Sequence, residues 1–335
     1  MIPFPANVYL SAFLSALLCA CLSTPLWRRW CLRHNHVDDP GHRKIHSQPV
    51  PLAGGLAVLT GMTLPLTLAM AASLAGWLHT TSLPLPLDTN TSSLFNYGFQ
   101  QRILQLAAIG LGALGMTALG YYDDHHELKP GPKFLGQLAI ALLIAASGIR
   151  ITLFVHAPIV SYTLTVLWIL TITNACNFMD NMNGLCTGLG LIGAWCFAWT
   201  SAIQGQFLVA SLGFLTCGAL LGFLPFNFPK ASSFLGDAGS HLVGFLLALL
   251  AILPNFYSEQ SPSKLAVLKP LLVLGVILGD LLSVIIIRYR IGQPVYIGDT
   301  NHISHRLVRR GLSRTTAVLA ILLLAAVLAT ASILI

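Results

Sequence analysis

Two adjacent aspartates, Asp123 and Asp124, end a long apolar run in the stretch GYYDDHHELKPGPK. Adjacent carboxylates repel each other, so each opposes ionisation of the other unless a cation lies between them. The pair suits a Mg²⁺ site, because Mg²⁺ binds through one or two carboxylates while substrate phosphates complete its shell. Lys133 follows at the start of the next apolar run, where it could contact a phosphate as a point charge. The alternative is a solvated helix end.

A second polar group closes a later apolar run, in NACNFMDNMNGL. Asn174, Asn177 and Asp180 recur every third residue, so they share one face of a helix. Polar side chains on one face at the end of an apolar helix point inward, towards a site. Asn183 and Gly184 then predict a turn. Helix capping is the alternative function of these residues.

The segment NFPKASSFLGDAGSHLVG contributes a third carboxylate, Asp237, at the start of another apolar run. The backbone N–H groups of a helix N-terminus attract anions. Asp237 is therefore either a metal ligand beside a phosphate or an ordinary N-cap. The sequence leaves both readings open.

The fourth segment, GDTNHISHRLVRRG, combines imidazole and guanidinium groups. We expect Asp299 to cap a short helix that Gly311 ends. Such groups at a membrane surface suit a diphosphate or a lipid phosphate, and a basic membrane anchor is the alternative. The side chains concerned are His302, His305, Arg306, Arg309 and Arg310.

Two further features are weaker. The segment DDPGHRKIHSQPVPLAGG carries Arg43 and Lys44 in a basic loop that favours anions. Asp280 is an acid inside an apolar run, and we expect it to pair with a cationic neighbour in a structural role.

The composition indicates the class of protein to which these segments belong. The 335 residues are 55% hydrophobic and only 9% charged, with a mean hydropathy of +0.76, whereas soluble domains carry roughly 25% charged residues. We therefore expect an all-α polytopic membrane protein, a single domain over residues 1–335, with the site in the loops. About ten spans of roughly 20 residues are predicted. They cover about 6–26, 52–76, 102–121, 134–149, 151–172, 186–203, 206–224, 240–256, 268–287 and 315–335.

Charge distribution predicts the topology. Fourteen of the 18 Lys and Arg residues lie in the loops after spans 1, 3, 5, 7 and 9, which the positive-inside rule places in the cytoplasm, with both termini outside. Eight of the 11 acidic residues lie on the same side, where no topology rule requires them, so they call for a function. The basic residues form no stripe that favours nucleic acid.

Together, the segments supply carboxylates for a divalent cation and cations for phosphate at the bilayer edge. That combination fits phosphoryl transfer between a nucleotide donor and a lipid phosphate. From Asp39 to Gly311 the chain resembles the polyprenyl-phosphate N-acetylhexosamine-1-phosphate transferases, the WecA, TagO and MraY group. The resemblance implies transfer of a sugar-1-phosphate from a UDP-sugar to undecaprenyl phosphate in the bacterial inner membrane, giving UMP, with Mg²⁺ or alternatively Mn²⁺.

The resemblance also implies roles for individual residues. Asp123 and Asp124 match the family's paired aspartates, Asp237 matches its metal-binding aspartate, and His302 matches the first histidine of its HIHH motif. These four are the expected catalytic residues, with Asp124 and Asp237 as metal ligands. The expected substrate-binding residues are Asn177, Asp180, Asn183, Phe234, Lys133, His305, Arg306, Arg43 and Lys44.

Two positions depart from the family pattern. Asn183 stands where an aspartate that reads the uracil is usual, beside Phe234, which matches an aromatic residue that stacks on the uracil. Ser304 replaces a histidine, so that HISH stands for HIHH. A role of that middle histidine therefore does not carry over to this chain, whereas His302 and His305 remain.

The loop PVPLAGG and the HISH segment favour a UDP-GlcNAc enzyme over a phospho-MurNAc-pentapeptide transferase, which remains the alternative. A cation-coupled transporter would place its acids near the membrane midplane, not at helix ends. An intramembrane aspartyl protease would need a glycine where Phe234 stands. The expected partners are a UDP-sugar, undecaprenyl phosphate and the lipid bilayer, with a homodimer as the alternative to a monomer and no nucleic acid.

Overall fold

The computed structural model describes residues 4–39, 48–74, 89–152, 157–254, 264–294 and 299–335. In these ranges the chain forms α-helices and one short antiparallel ribbon, β1 (Val37–Asp38) with β2 (Val50–Pro51). A 3₁₀ helix over Lys264–Leu268 precedes α9. The helices are α1 (Ala6–Arg33), α2 (Gly54–Leu74), α3 (Thr89–His126), α4 (Pro130–Ala146), α5 (Pro158–Met179), α6 (Leu185–Ile203), α7 (Phe207–Asn227), α8 (Gly236–Ile252), α9 (Lys269–Val273), α10 (Gly275–Arg290), α11 (Ile303–Arg309) and α12 (Arg314–Ile333).

Within the described ranges, seven helices are long and apolar enough to cross a membrane: α1, α2, α3, α5, α6, α7 and α12. The helix pair Leu265–Val273 and Gly275–Arg290 forms an eighth, broken span that bends by 71°. Two shorter apolar helices, α4 and α8, account for the remaining predicted spans. The predicted all-α, multi-pass membrane architecture is confirmed.

Helix α8 lies at the centre of the bundle, where α2, α3, α5 and α6 pack around it. Its side chains are buried along nearly the whole length, from Gly236 to Ala251. Asp237, in the first turn, is an exception, with 34% of its side chain exposed. The most buried helix of the core therefore carries an accessible carboxylate in its first turn.

Two glycines let neighbouring helices approach the first turn of α8. A Cβ atom on Gly120 of α3 would overlap the carbonyl oxygen of Asp237, and one on Gly55 of α2 would lie 2.5 Å from the backbone nitrogen of Gly239. Distances this short exclude any side chain unless the backbone moves. The close contacts fix the start of α8 against α2 and α3.

The connection before α8 is held by the loop that leads into α2. The Phe234 N–H donates to the carbonyl of Pro51 at 3.0 Å, and the Gly54 N–H donates to the carbonyl of Phe234 at 3.0 Å. Ser233 Oγ also donates to the Pro51 carbonyl at 3.0 Å. The loops after α1 and α7 thus meet at the same end of the bundle as Asp123 and Asp237.

Candidate active site

Lys133 joins two carboxylates that lie far apart in the sequence. Its Nζ is 2.6 Å from Asp123 Oδ2 on α3 and 2.8 Å from Asp237 Oδ2 on α8. Lys133 lies in the first turn of α4, as expected for a residue that opens this apolar helix. The structure therefore brings together three of the predicted site residues, with a cation between two carboxylates.

Asn177 completes this group, which we call the lysine cluster (Asp123, Lys133, Asn177 and Asp237). Its Nδ2 donates to Asp237 Oδ1 at 2.7 Å, and its Oδ1 accepts from Lys133 Nζ at 3.4 Å. Both oxygens of Asp237 are thus oriented by neighbours from α4 and α5. Asn177 Nδ2 also lies 3.0 Å from Ser240 Oγ.

Asp124 faces the start of α8 and not Lys133. Its Oδ1 accepts the Asp237 N–H at 2.8 Å, and its Oδ2 accepts the Ala238 N–H at 3.1 Å. The first N–H groups of a helix have no partner within the helix, so this carboxylate caps α8 from outside it. The cap of α8 therefore comes from Asp124 on α3, whereas Asp237 lies in the first turn. The role of Asp124 as a metal ligand stays a prediction.

One helical turn deeper, a pair of amides braces α4 against α5. Asn174 Nδ2 donates to Gln137 Oε1 at 2.7 Å, and Gln137 is almost fully buried. The three-residue spacing thus places Asn174 and Asn177 on one inward face, as predicted. Gln137 lies one turn after Lys133 and was not singled out from the sequence.

Asp180 follows directly after the end of α5. Burial raises the pKa of Asp180 to about 8, and repulsion from the Asp237 carboxylate adds to the rise, while the Gly236 N–H opposes it. The carboxyl groups of Asp180 and Asp237 thus lie close enough to repel each other.

The predicted turn at Asn183 and Gly184 is present. Gly184 has a φ of +72° and precedes α6. A Cβ atom there would lie 2.6 Å from Phe228 Cβ, so the position needs glycine on both counts. Asn183 Nδ2 donates to the Pro229 carbonyl at 3.2 Å. Its contact with a uracil stays a prediction.

Phe234 is held through its backbone by Pro51 and Gly54, and its side chain is partly exposed beside the start of α8. Its stacking on a base stays a prediction. Arg43 and Lys44, the predicted basic pair, lie outside the described residues.

His302 forms a buried pair with Asp280. His302 Nδ1 lies 2.6 Å from Asp280 Oδ2, and the Ile303 N–H donates to Asp280 Oδ1 at 2.6 Å. The exposed fractions of the two residues are 4% and 3%. Asp280 thus pairs with a histidine, which is itself a predicted catalytic residue, and a cationic charge on that partner stays a prediction.

The prediction that Asp299 caps the short helix is wrong. Helix α11 begins at Ile303, and its first N–H bonds to Asp280 on a neighbouring helix. Asp299 Oδ1 instead accepts the Asn301 N–H at 2.8 Å, which is a local turn. Gly311, with a φ of +100°, follows the end of α11 as expected.

Asp299 also binds a buried arginine. Arg288 Nε lies 2.8 Å from Asp299 Oδ2, and the Arg288 guanidinium lies 5.4 Å from the centre of the Phe178 ring on α5. Burial alone would raise the pKa of Asp299, but hydrogen bonds from Arg288 and Asn301 outweigh it and lower the pKa to about 2. We call Asp280, Arg288, Asp299 and His302 the histidine module.

The other residues of this segment tie α11 to its neighbours. Ser304 Oγ donates to Asn181 Oδ1 at 2.6 Å, so the serine at the family's histidine position links α11 to the loop that carries Asp180. Arg306 Nη2 donates to Ser283 Oγ at 3.1 Å. Burial lowers the pKa of His305, and the nearby His302 and arginines lower it further.

Besides Gln137, two further contributors were missed or undervalued in the sequence. Ser240 lies three residues after Asp237, a helical spacing that could have indicated a shared face. Asp280 carried a clear signal, an acid within an apolar run, but nothing in the sequence joins it to a histidine 22 residues later. The contact depends on how the tertiary fold places the start of α11 beside α10.

The fold and the site define a polytopic membrane protein in which charged groups from separate helices are gathered at one end of the bundle, whereas the sequence predicted a site in the loops. The family model described as "Glycosyl transferase family 4" matches residues 106–255. A Bacillus subtilis protein described as "Probable undecaprenyl-phosphate N-acetylglucosaminyl 1-phosphate transferase" is 33% identical over 93% of this chain and 81% of its own length.

Two further relatives show which enzyme names occur among the similar proteins. A Mycolicibacterium smegmatis "Decaprenyl-phosphate N-acetylglucosaminephosphotransferase" is 31% identical over 94% of this chain and 79% of its own. A Staphylococcus saprophyticus "Phospho-N-acetylmuramoyl-pentapeptide-transferase" is 32% identical over 42% of this chain and 51% of its own. The chain belongs to glycosyl transferase family 4, and the family resemblance seen in its motifs is confirmed.

Proposed function

We propose that this protein is a phosphotransferase that moves N-acetylglucosamine-1-phosphate from UDP-N-acetylglucosamine to undecaprenyl phosphate. The observation that carries the proposal is the lysine cluster, in which one ammonium lies between Asp123 and Asp237 at the end of the bundle. The site lies at helix ends, where a water-soluble nucleotide and a membrane-bound lipid can meet. The relatives with the broadest matches bear names of this reaction class.

The proposed reaction exchanges one phosphorus–oxygen bond for another. A phosphate oxygen of the lipid attacks the phosphorus of the UDP-sugar that bears the sugar. The bond from that phosphorus to the bridging oxygen breaks, and UMP leaves with the bonding electrons. Such a step needs little covalent help from the protein, because positioning and charge neutralisation supply most of the catalysis.

The residues present fit a divalent cation at the lysine cluster. Asp123 and Asp237 already share a cation, the Lys133 ammonium, and Asp237 is accessible. Among the described residues, no three histidine, cysteine or acidic side chains are arranged to hold a metal. Mg²⁺ needs only one or two carboxylates when phosphates and water complete its shell. When bound, Mg²⁺ or Mn²⁺ would supply positive charge against the diphosphate.

The chain's own residues then divide the work. Asp237 would hold the cation, with Asn177 fixing the direction of its carboxylate. Lys133 would release Asp237 and turn its charge to the lipid phosphate, with Asp123 keeping it in place. Both oxygens of Asp124 accept backbone N–H groups of α8. Asp123 is engaged as well, with Oδ1 accepting the Leu128 N–H at 2.7 Å and Oδ2 on Lys133, so we assign Asp123 to holding Lys133.

The remaining contacts follow from the predicted assignments. His302, His305 and Arg306 would bind phosphate oxygens of the substrates, and Asn183 and Phe234 would bind the uracil. The site would face the cytoplasm of a bacterial inner membrane, with both termini outside, because the basic loops gather on that side.

The test uses purified protein in detergent with radiolabelled UDP-N-acetylglucosamine, undecaprenyl phosphate and Mg²⁺. We expect release of UMP and a labelled lipid diphosphate. UDP-N-acetylgalactosamine and UDP-MurNAc-pentapeptide serve as competing donors, because a relative of the latter class matches part of the chain. Absence of a labelled lipid with every UDP-N-acetylhexosamine would refute the enzyme assignment, and a preference for another donor would correct the sugar.

A further inference from the structure

The Asp280–His302 pair differs from a simple helix cap. A cap needs one carboxylate oxygen, and Asp280 Oδ1 already accepts the Ile303 N–H at the start of α11. The second oxygen, Oδ2, lies 2.6 Å from His302 Nδ1. A carboxylate only accepts hydrogen bonds, so Nδ1 must carry the proton that makes this contact. The carboxylate thereby selects one tautomer of the imidazole.

The tautomer decides which ring atom a substrate can reach. With Nδ1 bound to Asp280, Nε2 is left, and no side chain of the described ranges forms a hydrogen bond with it. A histidine whose Nδ1 is held by a carboxylate presents Nε2 in a fixed direction. The ring is 4% exposed, so its packing adds to that restraint.

Packing also ties the ring to the lysine cluster. The His302 ring centre lies 5.9 Å from that of Phe178, which follows Asn177 directly on α5. Asn177 in turn holds Asp237 at 2.7 Å. A short series of contacts therefore fixes Nε2 relative to the carboxylate that is proposed to bind the cation.

We propose that Asp280 is a positioning residue that acts through His302, holding the proton on Nδ1 so that Nε2 meets a phosphate oxygen of the substrates. This inference rests on the proposed phosphotransfer function. Asp280 touches neither substrate in this account. Its contribution to turnover passes entirely through the imidazole, whereas its bond to Ile303 stabilises α11.

Asp280→Asn separates these two contributions. The new amide can keep an oxygen for the Ile303 N–H, but then its NH₂ group faces Nδ1 and drives the ring proton to Nε2. We expect kcat to fall about 10- to 100-fold, as for other residues that orient a functional histidine. KM for the UDP-sugar should change less than kcat.

A double-mutant cycle gives the decisive test. His302→Asn removes Nε2 while its amide can still donate to Asp280. If Asp280 acts through His302, adding Asp280→Asn to His302→Asn lowers kcat no further. A second loss of the same factor as in the wild-type background would overturn the proposal.

Asp299→Asn is the matched control, because it also converts an acid of the histidine module to an amide but leaves Asp280 and His302 in place. In the double variant of Asp299→Asn and His302→Asn, kcat should fall by the product of the two single-variant factors. Thermal midpoints of all variants identify any that fail to fold. Should Asp280→Asn unfold, Asp280→Glu takes its place in the cycle.

The same proteins are also titrated with pyrophosphate and Mg²⁺ by calorimetry. We expect Asp280→Asn and His302→Asn each to weaken binding about tenfold, with no further loss in the double variant. A wild type that releases no UMP would refute the proposed function, and this binding cycle would still decide the inference. Independent losses in the binding cycle would overturn it.

Discussion

The lysine cluster and the histidine module both combine acidic with basic side chains, but they differ in the number of basic partners for each carboxylate. In the lysine cluster, two carboxylates share one ammonium, and Asp237 is 34% exposed. In the histidine module each acid has its own basic partner, and Arg288 is completely buried. The first region has spare negative charge that a substrate-borne cation can reach. The second is saturated, so it can stabilise and position but has little left to offer a metal.

The largest difference between the regions should follow from Asp237→Asn. The change removes the accessible carboxylate but keeps an oxygen for Asn177, so the fold should persist. We expect UMP release to fall more than about a thousandfold, since in the proposed mechanism Asp237 holds the cation that neutralises charge in the transition state. The measurement is turnover at saturating substrates, with the melting midpoint as control. Turnover within tenfold of the wild type would remove Asp237 from the mechanism.

Asp299→Asn should lower stability strongly and turnover only slightly, which is the converse of Asp237→Asn. It leaves the Arg288 guanidinium buried without its carboxylate, which costs about 3 kcal/mol of unfolding free energy. Turnover of the folded fraction should fall far less than in Asp237→Asn. Chemical unfolding in detergent measures the loss of unfolding free energy, and turnover per folded molecule measures the loss of activity. A large loss of turnover with unchanged stability would assign Asp299 to the reaction.

The stability given by Asp299 should depend on pH. Its pKa in the folded protein is about 2, below the ordinary value of about 3.9, so the folded state binds fewer protons between these values. The stabilisation is therefore present above about pH 4 and is lost as the pH falls towards 2. The difference in unfolding free energy between wild type and Asp299→Asn should narrow across that window. A constant difference would show that the Arg288 ion pair contributes nothing.

A smaller structural effect is expected where α3 meets α8. Gly120→Ala places a Cβ atom against the Asp237 carbonyl oxygen, so the helices must separate, at a cost of about 2 kcal/mol. Gly110→Ala on the same helix is the control, because nothing lies within 4 Å of its Cβ. That change should be neutral or stabilise by about 0.5 kcal/mol. Equal effects of the two substitutions would contradict the close approach.

The smallest effect concerns donor recognition. Asn183→Asp restores the residue that is usual in the family at this position. We expect kcat to stay nearly constant while KM for the UDP-sugar changes several-fold, because binding of one base edge is altered. An unchanged KM would place Asn183 outside the uridine pocket.

Much of the molecule could be predicted from the sequence, for identifiable reasons. Apolar runs define the spans, charge placement puts Asp123, Lys133 and Asp237 on one side, and the three-residue spacing adds Asn177. What could not be predicted depends on tertiary contacts between distant segments. The partner of each carboxylate is one example: Asp124 caps α8, and Asp280 instead of Asp299 bonds the start of α11.

The magnesium response of the melting midpoint tests the central claim, that Asp237 is the carboxylate of a divalent cation site. A ligand that binds only the folded state at a hundred times its Kd stabilises it by about 2.7 kcal/mol. We predict that Mg²⁺ raises the midpoints of the wild type and of Asp299→Asn, and leaves that of Asp237→Asn unchanged. An equal rise in all three proteins would contradict the account.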